Sequence, residues 1–193
     1  SGAMVRAILS GQKTQTRRSM KPQQYLTPEW DSERQIAEFY MADECVGTVT
    51  CPYGQPGDRL WVRETWRYNG WCPADTVRAN VCITYRADGE SSDYIRDDFD
   101  YDQHIGWRPS IHMPRWACRI VLEIVSVRVE QLNDISEADA EAEGVDFLRH
   151  APDADETLTA KQLFECLWSG INGDESWQSN PWVWVVEFKL VQQ

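Results

Sequence analysis

A lysine, two threonines and two arginines fall within six residues, Lys13-Thr14-Gln15-Thr16-Arg17-Arg18. A threonine hydroxyl is a poor nucleophile until a base takes its proton. A lysine is such a base only when its pKa falls from about 10.4 towards 7–8. Burial lowers a lysine, and neighbouring cations lower it further by repulsion, for which Arg17 and Arg18 are at hand. A carboxylate completes the set for amide hydrolysis, since it can orient the lysine, place water or protonate a leaving amine; Glu143 is the candidate. Each residue also has a plainer role. Lys13 and Arg17 can serve as surface ion-pair partners for surplus acids, and Thr16 as an ordinary strand residue. Glu143 can be a solvated helix-end acid beside Glu137, Asp139 and Glu141, which read as solvated.

The elements that must position these groups follow from the apolar spacing. Val5, Ile8 and Leu9 predict a short helix over 4–11, stopped at Gly11 by a residue able to take positive φ. A strand over 13–20 then places Thr14, Thr16 and Arg18 on one face and Lys13, Gln15 and Arg17 on the other. A twist or bulge at its start would let Lys13 reach Thr16. Residues 22–56 read as a proline-punctuated connection holding a small hairpin, Ile36 to Tyr40 and Val46 to Cys51. After the Gly57-Asp58 turn, a strand from Arg59 to Trp66 puts Leu60, Val62 and Glu64 on one face. An acid on an apolar face needs a partner, and Lys13 or Arg17 is the expected one.

Residues 67–79 read as a loop and Val81 to Arg86 as a short strand. Asp88 to Tyr101 is an acidic segment, read as solvated loop ahead of a cation or basic-partner site; it lacks the alternation of an EF-hand. A proline-bracketed connector, Arg108 to Trp116, presents His112, Arg115 and Trp116. Trp61, Trp66 and Trp116 read as core, with one of them available to stack on a base. Ala117 to Val129 is the best strand, with a bulge in its alternation. Asp134 or Ser136 caps a helix that ends at Gly144, and Ser136 with Asp139 has capping-box spacing. A loop over 149–157, a helix over 159–169, a loop over 170–181 and a strand over 183–191 complete the chain. The closing strand divides into Val183, Val185, Glu187 and Lys189 on one face and Trp184, Val186, Phe188 and Leu190 on the other. This order predicts an α+β fold, a small barrel with helices outside it.

The length of 193 residues suits one domain over 1–193. No apolar run approaches membrane-spanning length and no signal-peptide pattern opens the chain, so a soluble cytoplasmic protein is expected, with no membrane partner. The six cysteines form no Cys-x-x-Cys pair and read as free thiols, with Cys45 and Cys51 the nearest approach to a redox pair. A net charge of −12 argues against a protein that mainly coats nucleic acid, because such binding neutralises many phosphates. The basic cluster Lys13, Arg17, Arg18 and Lys21 can still form one positive pocket for a small anionic or polar ligand.

The Gly11-x-Lys13-x-x-x-Arg17 pattern after a short helix resembles the signature of the ASCH family of PUA-like β-barrels. Ile135 to Gly144 followed by Trp184-Val185-Val186-Glu187-Phe188 resembles the family's second half in order, and Pro56 to Glu64 its central strand. The run Pro109 to Trp116 is similar to the longer phage and prophage branch. Some small ASCH proteins are amidohydrolases that deacetylate N(4)-acetylcytidine with a lysine, a threonine and a glutamate. Their Gly-x-Lys-Thr-x-Thr segment matches Gly11 to Thr16, and their helix-closing glutamate matches Glu143. The resemblance implies Thr16 as nucleophile, Lys13 as its base and Glu143 as manager of the leaving amine or water, with no metal and no organic cofactor. Arg17, Glu64 and Trp116 are the candidates to hold an acylated nucleoside or modified base. Regions 22–56 and 67–117 have no counterpart and read as long insertions. Other relatives are discussed as RNA binders, so a non-catalytic PUA-like reader of RNA or a modified base is the alternative. An accessory factor whose acidic face meets a basic partner is a third reading.

Overall fold

β8 (Val121–Gln131) and β9 (Trp182–Leu190) form the central antiparallel pair of the computed structural model, which describes residues 2–21, 26–69, 82–89, 106–150 and 157–191. Outside them lie β1 (Gln15–Ser19) beside β9 and β5 (Arg59–Trp61) beside β8, giving the order β1-β9-β8-β5. This sheet curls into an antiparallel half-barrel within an α+β fold. The pairing of β8 with β9 shifts register between Ile124 and Ser126, which is the bulge expected from the broken alternation.

The continuous apolar run of β9 follows from cover on both faces. Val183 and Val185 pack beneath α2 (Glu137–Ala142) and α3 (Ala160–Asn172), against Ala140, Leu163, Phe164 and Trp168. Trp184 and Val186 face the other way, onto Met20, Ala37, Phe39, Ile124 and Val127. Phe188 continues that second face among Val5 and Ile8 of α1 (Gly2–Leu9). The two faces of the closing strand are therefore those expected from period-2 alternation.

Within 26–50 the chain forms a meander of β2 (Pro28–Asp31), β3 (Ile36–Met41) and β4 (Glu44–Thr50). The expected hairpin is β3–β4; β2 was not legible, being four residues with one apolar side chain, Trp30. The expected strand from 59 to 66 is broken. It pairs only as far as Trp61, and a new hairpin begins at Trp66 with β6 (Trp66–Asn69) and β7 (Cys82–Tyr85). The remainder of the 67–79 loop, most of the acidic segment, Cys72 and 151–156 lie outside the described residues.

The starts of both helices were legible. Ser136 Oγ accepts from Asp139 N at 3.1 Å, and Thr159 and Gln162 form a reciprocal capping box. α3 runs past the expected end to Asn172, and a further turn, α4 (Glu175–Gln178), occupies the segment expected to be loop. Val145–His150 is wound as a 3-10 segment, so the expected loop starts later than Arg149. Cys45, Cys51, Cys118 and Cys166 are free thiols. Among the described residues, no helix is long and apolar enough to cross a membrane.

Candidate functional site

Gly11 takes φ 76°, ending α1 so that the chain turns back along its own last turn, where Lys13 N donates to Ala7 O at 2.9 Å. Lys13 then bridges Glu143, 130 residues away, and Thr14 N donates to Ala142 O at 2.8 Å. The start of β1 is thus laid against the C-terminal end of α2, where helix carbonyls lack helical donors.

The Lys13 ammonium occupies that end. It donates to Glu143 O, to Glu143 Oε2 and to Gln15 O, each at 2.8 Å. Side-chain exposure is 10% for Lys13 and 5% for Glu143, so the pair is largely out of water. Burial lowers the Lys13 pKa; the Glu143 charge and hydrogen bond pull it back, and Arg18 and Arg17 push it down again, with a net fall. Gly144 closes the packing. It sits at φ 76°, and a Cβ there would lie 2.7 Å from Lys13 Cβ.

β1 brings two more polar side chains to the same face, both buried. Gln15 Nε2 donates to Asp139 O at 2.9 Å and Asp139 Oδ1 at 3.0 Å. Arg17, with no side-chain exposure, places Nη2 2.8 Å from Glu130 Oε2 and 3.6 Å from Asp139 Oδ2, and Nη1 3.6 Å from Glu143 Oε1. Arg128 extends the network to Glu130, Glu187 and Asp139. Burial raises the Asp139 carboxyl, but bonds from Ser136 and Gln15 and the charges of Arg17 and Arg128 outweigh it and leave its pKa lowered.

One feature separates this network from an ordinary buried ion cluster. Arg17 Nε, Arg17 Nη1 and Glu143 Oε1 are buried and have no hydrogen-bond partner. Arg17 Nη1 and Glu143 Oε1 face each other at 3.6 Å, an ion pair too long for a hydrogen bond, so the capacity of both to hydrogen-bond is unused. Unpaired buried groups of this kind are costly, by about 1–3 kcal/mol each, and such cost concentrates where a ligand or reaction uses the groups.

The structure thus brings Lys13, Arg17 and Glu143 together. Thr16 stands differently. It is opposite Val186 on β1, alternates away from Gln15 and Arg17, and no hydrogen bond joins its hydroxyl to Lys13. It does adjoin the site through the backbone, because Lys13 Nζ caps the carbonyl of the peptide leading into Thr16. The twist expected to carry Lys13 to Thr16 carries it to Glu143.

Glu64 corrects an expectation. Its partner is neither Lys13 nor Arg17 but Arg119, which grips both carboxylate oxygens at 2.9 Å. The reason is the path after β5: Val62 N still donates to Ile120 O at 3.0 Å, which delivers Glu64 beside Arg119. Arg119 also binds Asp88 through two nitrogens, with Tyr85 stacked 3.9 Å from its guanidinium carbon. Trp116 is exposed and edge-on to Trp66, with ring centroids 6.0 Å apart. It is therefore not a core tryptophan. Asp139, expected to be solvated, is a bound member of the site.

Sequence reasoning grouped Gln15 with Arg17 but missed Arg128, Glu130 and Asp139 as members of their network. A signal was present, for Arg128 and Glu130 interrupt β8 at alternate positions facing Val185 and Val183. Among the described residues no cluster of His, Cys, Asp and Glu is suited to hold a metal ion. No family model, curated protein or solved structure matches the chain.

Proposed function

We propose that this chain is an ASCH-type, PUA-like amidohydrolase acting on an acylated nucleoside or modified base such as N(4)-acetylcytidine. The observation that carries the reading is the buried Lys13–Glu143 contact of 2.8 Å, flanked by an underused Arg17. It unites the two segments that resemble that family, and burial of the pair lowers the Lys13 pKa despite the opposing pull of Glu143.

In this reading neutral Lys13 accepts the Thr16 hydroxyl proton as Oγ1 attacks the acetyl carbonyl. The carbon–nitrogen bond of the tetrahedral intermediate breaks, and the leaving amino nitrogen takes a proton from the Lys13–Glu143 pair. Water then attacks the acetyl ester on Thr16, giving up its proton to Lys13; the acyl carbon–Oγ1 bond breaks, Thr16 Oγ1 takes that proton back from Lys13, and acetic acid leaves, ionising to acetate in solvent. Thr16 must rotate towards Lys13, and Lys13 must release one of its three acceptors, for the first step. Arg17 is the candidate to polarise the amide oxygen.

A second reading is favoured by the saturation of Lys13. With all three N–H groups engaged and the Thr16 hydroxyl apart, the same site suits a non-catalytic reader of a modified base.

Hydrolysis of N(4)-acetylcytidine separates the two readings, run on the parent beside Lys13→Ala, Thr16→Ala and Glu143→Ala. Turnover by the parent, lost in all three folded variants, supports the enzyme. A folded parent that binds the nucleoside without releasing acetate supports the reader.

A further inference from the structure

We propose that the acylated substrate is a free nucleotide rather than a nucleoside, its 5′-phosphate held by Arg18 on the Thr16 face of β1. The inference rests on the amidohydrolase reading and narrows its substrate class. Of the basic cluster Lys13, Arg17, Arg18 and Lys21, two members are already engaged. Lys13 is tied to Glu143, and Arg17 lies among Glu130, Asp139 and Glu143. Arg18 is exposed and meets no carboxylate among the described residues, in a chain with 31 acids against 19 bases.

The alternation of β1 explains why Arg18 is left alone. Gln15 and Arg17 turn towards the acids of α2 and β8. Thr16 and Arg18 turn the other way, opposite Val186 and Trp184 of β9. The next positions across the sheet on that face are Val127 and Val129 of β8. No acid stands at these cross-strand positions, so the guanidinium keeps its charge and its N–H groups for an anion. Arg18 also lies close enough to the Lys13 ammonium to repel it, which places the two cations at one site.

The spacing selects where on the substrate that anion belongs. Positions 16 and 18 are about 6.6 Å apart along an extended strand, and an arginine side chain reaches further still. The charge therefore sits far from the bond that Thr16 attacks. An N-acyl amino acid does not fit, because its carboxylate carbon lies two bonds from the amide nitrogen. A cytidine 5′-phosphate acylated on N4 does fit, with base and ribose between the acyl group and the phosphate. One unpaired arginine on a molecule of net charge −12 suits a single phosphate and disfavours a polyanionic strand.

The test compares kcat/KM of the full chain for N(4)-acetylcytidine 5′-monophosphate and N(4)-acetylcytidine. Calorimetric binding of the products, cytidine 5′-monophosphate and cytidine, is the second readout. Expected is a preference of about tenfold for the phosphorylated form, expressed in KM, the scale of one charge-assisted contact at an exposed site. Added salt should shrink it. Arg18→Gln should bring the ratio close to one, and Arg18→Lys should restore part of it. The ratio cancels any change that Arg18 makes at Lys13, because both substrates share that step. Turnover of neither substrate contradicts the amidohydrolase reading, and product binding then decides the phosphate contact separately. Three results would overturn the inference: equal kcat/KM and equal product binding for the two forms, a preference that survives Arg18→Gln, or faster hydrolysis of the same acetylated base within a trinucleotide than in the mononucleotide.

Discussion

Two buried carboxylates in this molecule meet arginines, and they do so in opposite ways. Glu64 spends both oxygens on Arg119, which in turn grips Asp88 and rests on Tyr85; none of these side-chain atoms is buried without a partner. Glu143 gives one oxygen to Lys13 and leaves the other 3.6 Å from an Arg17 nitrogen that is itself unused. A saturated cluster ties β5 and β7 to the start of β8 and offers a ligand nothing new. An unsaturated one retains donors and an acceptor for something else. Satisfaction of hydrogen bonds, more than burial or charge, distinguishes the structural acid from the candidate functional one.

Activity should break the comparison most sharply. Glu143→Gln keeps the shape at Lys13 but removes the charge, and is expected to lower kcat/KM by about 10²–10⁴-fold in acetylcytidine hydrolysis. Glu64→Gln should leave turnover per folded molecule within about threefold of the parent, since Glu64 has no contact with the proton-transfer set.

Stability should reverse the order. Glu64→Leu leaves Arg119 with Asp88 as its remaining acid partner and is expected to cost about 2 kcal/mol, reducing the melting temperature by roughly 6 °C. A smaller loss from Glu64→Leu than from Glu143→Gln in urea titrations would invert the assignment of the two sites.

Gly144→Ala probes the packing of Lys13 without changing a polar group. A Cβ at φ 76° and 2.7 Å from Lys13 Cβ should cost about 2 kcal/mol in denaturant titrations, and turnover should fall with it. The smallest effect is expected from Ser136→Ala, about 1 kcal/mol, because it removes the cap that sets the start of α2 but leaves Glu143 at the other end.

The site was legible in the sequence where a single short motif fixes geometry. Gly11 and Gly144 each end a helix, and the residues beside them, Lys13 and Glu143, meet because both stops are tight. The alternation along β1 correctly grouped Lys13, Gln15 and Arg17, since period 2 is imposed by the backbone. Partners set by tertiary register were not legible. Glu64 could be recognised as a buried acid needing a cation, but which cation depends on where β5 stops, and Trp61 carries no local signal of that end. Asp139 looked like its solvated neighbours because helix phase alone did not reveal that β1 would lie across that turn. α4 was missed because a four-residue helix with no buried residue leaves little pattern to read.

Protonation offers a further contrast. Burial lowers Lys13 from its ordinary 10.5, so in the fold it sheds its proton more readily than in the unfolded chain. Its burial penalty is then full below the folded value, shrinks as pH rises, and is gone above 10.5. Relative to Lys13→Met, the parent should gain stability over that window, and hydrolysis should rise with pH across its lower edge.

The most direct measurement is the titration of Lys13 itself, by NMR of side-chain-labelled lysine. The chain has only Lys13, Lys21, Lys161 and Lys189, and comparison with Lys13→Ala assigns the resonance. Lys13 is expected to titrate below its ordinary value, and Glu143→Gln, by removing the charge that raises it, to lower it further. A Lys13 that titrates at or above 10.5 would be a permanently charged tether, and the claim that this site carries base chemistry would be contradicted.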